Sequence, residues 1–69
     1  MIRFEIGENE AQARHIFREI DNAGPNDQIV RFMKAISLLY LDDPHIKVLR
    51  MSSLIYSTMP KTIEAYNRG

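Results

Sequence analysis

The residues best suited to chemistry in this chain run together as Asp42, Asp43, Pro44 and His45. Two carboxylates and an imidazole at that spacing sketch half of a divalent-cation shell, since such ions take their oxygen and nitrogen donors from these side chains. The same residues also read as a helix start, with Asp43 as N-cap and Pro44 at the first helical position. There is no cysteine, and the one other histidine, His15, pairs most simply with Glu19 one helical turn later. The sequence therefore predicts no metal site. Nucleophilic catalysis would need a hydroxyl beside a base and an oxyanion site, and Ser52, Ser53, Ser57 and Thr58 have neither in view. Glycine occurs only at positions 7, 24 and 69, which leaves no phosphate-cradling loop. The expectation is a protein without catalytic residues, metal or cofactor, and not an enzyme.

The elements that carry these residues follow from the spacing of apolar positions. Ile2, Phe4 and Ile6 alternate with Arg3 and Glu5, the period of a half-buried strand, and Gly7 ends it. From Glu8 to Ala23 the period becomes helical, with Ala13, Ile16, Phe17, Ile20 and Ala23 within about 120° of arc. Gly24 and Pro25 stop that helix. A second helix is expected from Asn26 or Asp27 to Leu41, and a third from Pro44 to Ser57 or Thr58. Beyond Pro60, a short helical turn over 61–67 completes the chain. The fold class is mainly α, a single domain over 1–69 with an N-terminal strand, three helices and a C-terminal helical turn. A lone strand leaves both its edges unpaired, so the expected assembly is a homodimer.

The second helix is apolar on nearly every side, which predicts a central position with neighbours in more than one direction. Val30, Leu38 and Leu41 stand apart from its main face, as Ile46 and Leu54 do from the Val48, Leu49, Met51, Ile55 and Tyr56 face of the third helix. Interleaved with Lys47 and Arg50, Ile46 and Leu54 form the expected protein-partner site. Ile2, Phe4, Ile6, Val30 and Leu38 are the expected dimer residues.

Composition limits what such a chain can bind. Nine basic and nine acidic residues cancel, so no overall field draws it to nucleic acid or to an anionic membrane. No apolar run approaches the ~18 residues of a membrane span, and the acidic start lacks a signal peptide's apolar core, so a cytoplasmic protein is expected. At 69 residues without disulfides, a core rarely supplies more than about 3–5 kcal/mol, which again favours association. The order strand, helix, Gly-containing turn, helix over residues 2–41 resembles the ribbon-helix-helix regulators. That resemblance implies strands paired across a dimer, with Arg3 and Glu5 entering the DNA major groove. The residues themselves favour a small accessory or regulatory protein, such as an inhibitor, that binds a protein partner through helix faces. A dimeric DNA-binding regulator is the alternative.

Overall fold

In the computed structural model, residues 7–23 and 27–68 are described, and among them the chain forms four helices and no strand. These are α1 (Glu8–Ala23), α2 (Gln28–Asp42), α3 (Val48–Thr58) and α4 (Pro60–Arg68). The expected strand over 2–6, and with it Ile2, Arg3, Phe4, Glu5 and Ile6, lies outside the described residues. Residues 24–26 do so too.

Helix α1, not α2, is the central element. It packs against α2, α3 and α4, while α2 makes no close backbone approach to α3 or α4. The reason lies in the α1 stripe: Ala13, Phe17 and Ile20 are buried, and they present an apolar face broad enough to hold a neighbour on each flank. On one flank, Ala35 and Leu39 of α2 are buried and the Phe17 and Phe32 rings meet at 5.5 Å in a tilted pair. Ala13 and Ala35 are both fully buried, and their small size lets α1 and α2 approach closely. On the other flank, Leu54 and Met59 complete the core. The all-round apolarity of α2 therefore does not mean burial on all sides: Ile29, Val30, Met33, Tyr40 and Leu41 are exposed. Leu38, by contrast, packs against the core.

The third helix begins later than its sequence signal. Asp43 does not cap it; the Asp43 carboxylate accepts the His45 backbone N–H at 3.1 Å, and its carbonyl accepts that of Ile46 at 3.1 Å. This is an Asx-type turn, a local alternative to the helix that aspartate offers its own backbone. It carries Pro44 and His45 through a bend and drops Ile46 into the core, 8% exposed. Lys47 is then the N-cap, and α3 starts at Val48.

This shift corrects the expected partner site. Ile46 is not helical, so it shares no helix face with Lys47 and Arg50, and Leu54 is only 4% exposed. The inward face of α3 is Met51, Leu54, Ile55 and Thr58, at the i, i+3, i+4, i+7 spacing of one stripe. Buried Thr58 donates its hydroxyl to the Leu54 carbonyl at 2.7 Å, which is how a polar residue can occupy that stripe. Val48 and Leu49, expected inside, are 80% and 83% exposed, and Tyr56 is exposed as well. Ile46→Ala and Leu54→Ala should each cost about 2–5 kcal/mol in chemical denaturation, as core truncations do. Val48→Ala and Leu49→Ala should stay within about 0.5 kcal/mol of wild type.

Candidate functional site

The acidic residues that suggested chemistry are occupied in holding helices together. Asp42, at the end of α2, accepts the Glu10 backbone N–H at 2.8 Å and the Asn9 side-chain amide at 3.0 Å. It caps the N-terminus of α1 from another helix, where a carboxylate satisfies unpaired donors and faces the positive end of the dipole. Gly7 makes room for it, since a Cβ at that position would overlap the Asp42 carboxylate. Asp21, near the end of α1, does the same for α4: it accepts the Thr62 backbone N–H at 2.7 Å and the Thr62 hydroxyl at 2.8 Å.

Arg50, expected to meet a partner, donates to Glu10 at 2.6 Å instead. Glu10 is 4% exposed and also lies 3.8 Å from Arg14, so α1 and α3 are joined by a carboxylate that has left water. A buried carboxylate needs such a charged donor. Among the described residues, no group of three or more His, Asp or Glu side chains is placed to hold a metal ion, and no helix is long and apolar enough to cross a membrane.

What remains uncommitted is apolar. Because α2 and α3 flank α1 without meeting, a groove of about 280 Å³ runs between them. Ile20 of α1 forms its floor. Gln28, Ile29 and Phe32 of α2 form one wall, and Ile55, Met59, Thr62, Ile63 and Tyr66 form the other. Its lining is almost wholly apolar, and its Thr62 hydroxyl is already given to Asp21. Small-molecule sites bring a few convergent polar groups to fix a ligand's orientation, and this groove has no such set. What it can do is bury apolar side chains presented along one line.

Among the described residues no charged side chain lines the groove, and on α4 Lys61 and Glu64 lie next in sequence to its lining residues Thr62 and Ile63. No acidic residue occurs over 28–41 or 44–63, whereas Arg31, Lys34, Lys47, Arg50 and Lys61 fall in those stretches. Arg31 and Arg50 are paired with Glu19 and Glu10 of α1. Lys34 and Lys47 are exposed, and Lys61 reaches only the Asn22 amide oxygen, at 3.5 Å.

Of the residues singled out from the sequence, Ile46 and Leu54 are core, Arg50 is an interhelical ion pair, Lys47 is an exposed N-cap, Val30 is exposed and Leu38 is half-buried. They do not form one surface. The groove residues were legible only as members of apolar stripes, because nothing local in the sequence says that α2 and α3 stand apart. No family model, curated protein or solved structure matches this chain.

The two interhelical caps should be separable in stability measurements. Asp42→Ala and Asp21→Ala are each expected to cost about 1 kcal/mol, as the loss of a capping carboxylate does. Urea titration of the double variant should return close to the sum, because the two caps serve different helices.

Proposed function

We propose that this chain is a small non-enzymatic accessory or regulatory protein, of the kind that includes inhibitors, acting by holding an amphipathic helix of a protein partner in the groove between α2 and the α3–α4 pair. The observation that carries the reading is the groove itself: an apolar trough, open along one side, on a chain whose Asp42, Asp21 and Glu10 carboxylates are engaged in contacts between helices. A helix brings side chains to one line at i, i+3, i+4 and i+7, which is the shape of occupant that such a trough accepts. The apolar lining supplies the affinity.

Helical peptides selected by display against the intact protein provide the test. Selected binders should carry an apolar stripe at helical spacing, and Tyr66→Ala and Ile63→Ala should weaken them by about tenfold or more with little change in melting temperature. Binders that ignore both substitutions would place the working surface elsewhere. Tight binding to duplex DNA that falls steeply as salt rises would favour the DNA-binding regulator instead.

A further inference from the structure

The face of α2 turned away from α1 is a second apolar surface, separate from the groove floor. Ala35 and Leu39 point into the core, so the opposite side of the helix carries Val30, Met33, Ser37 and Tyr40, flanked by Ile29 and Leu41. The steps between the first four are three, four and three residues, the spacing of a coiled-coil seam. The five large apolar residues among these are exposed, with Val30 and Leu41 at 72% and 69%. Scattered exposed apolar residues need no explanation, but a seam of five along one helix does.

We propose that the occupant of this seam is a second copy of the chain, with the two α2 helices antiparallel about a two-fold axis at Ala35. The seam positions are symmetric about that residue. A two-fold there brings Val30 level with Tyr40 of the second copy, Met33 with Ser37 and Ile29 with Leu41, so every seam residue meets the level of another and a large residue meets a small one near the centre. Isologous pairing requires just such a reciprocal set.

The area agrees. Five large side chains at roughly 100 Å² each give ~500 Å² of apolar surface. A standard interface takes about 800 Å² from each partner, and in homodimers about 65% of it is apolar, which is again ~500 Å². The need agrees as well, since a disulfide-free core of this size gains from being covered.

Sedimentation equilibrium on the full chain tests the assembly. Twice the monomer mass is expected at micromolar concentrations, with Val30→Glu and Leu41→Glu each weakening self-association by about tenfold or more at unchanged helix content in circular dichroism. Tyr66→Ala, which alters only the groove, should leave the dimer intact, so this surface and the groove can fail separately. A chain that stays monomeric into the millimolar range, or a dimer indifferent to both glutamates, would overturn the proposal.

Cysteine cross-linking tests the register, because the chain has no cysteine of its own. A mixture of Val30→Cys and Tyr40→Cys proteins should form a mixed disulfide. Val30→Cys alone should not, its two copies lying about 15 Å apart along the axis. Cross-linking of Val30→Cys to itself in place of the mixed product would mean a parallel pairing and refute the two-fold at Ala35.

Discussion

Every described element depends on the apolar face of α1. Ala13, Phe17 and Ile20 are buried by α2 on one side and by α3 and α4 on the other, and the backbones of those two flanks do not approach each other closely. Burial of a large side chain contributes roughly 1.5–3 kcal/mol, so a stripe that serves two flanks concentrates much of a small stability in a few residues. It also fixes geometry. Two neighbours seated on one stripe diverge from it, and the space between them becomes the groove.

Packing alone leaves helices free to slide along such a stripe, and charged groups remove that freedom. Asp42 holds the start of α1 to the end of α2, and Asp21 holds the start of α4 to the end of α1. The Glu10–Arg50 pair ties α1 to α3. Each contact joins residues more than thirty positions apart, and the two aspartates replace caps that a helix would ordinarily supply for itself. Asp21, Asp42 and Glu10 are thus engaged in architecture.

Helix positions were legible in the sequence wherever the signal was local. The α1 boundaries follow from Glu8 and Glu10 in the first turn and the Gly24–Pro25 stop, and the α2 inner stripe from the spacing of Phe32, Ala35 and Leu39. The start of α3 was misread because Asp43–Pro44 is a signal with two meanings, helix cap or Asx turn. Only the packing of Ile46 decides between them. That four-residue error put Ile46 on a helix face, while Leu54, Val48 and Leu49 were misplaced because the buried sector of α3 is centred on Met51, Leu54, Ile55 and Thr58 rather than on the Val48–Tyr56 arc. The groove was not legible at all, since periodicity says which side of a helix is apolar and nothing about which neighbour covers it. The cross-helix caps were hidden for a related reason: Asp21 and Asp42 look like ordinary helix-end acids until distant backbone donors are brought to them.

On the proposed readings α2 serves three surfaces at once: the core through Ala35 and Leu39, the groove through Phe32 and Ile29, and the seam through Val30, Met33 and Tyr40. Ile29 belongs to both of the last two. A side chain taken by one interface is unavailable to the other, so a helix bound in the groove and a second copy on the seam would compete for it. The coupling is bounded by what one isoleucine contributes, roughly 1.5–3 kcal/mol, or about one to two orders of magnitude in affinity. Linkage makes the effect reciprocal: a bound helix would loosen the dimer as much as dimerisation would weaken the helix. A chain this small has few residues to divide between surfaces. Sharing one is what would turn two separate contacts into a device that exchanges its own copy for a partner.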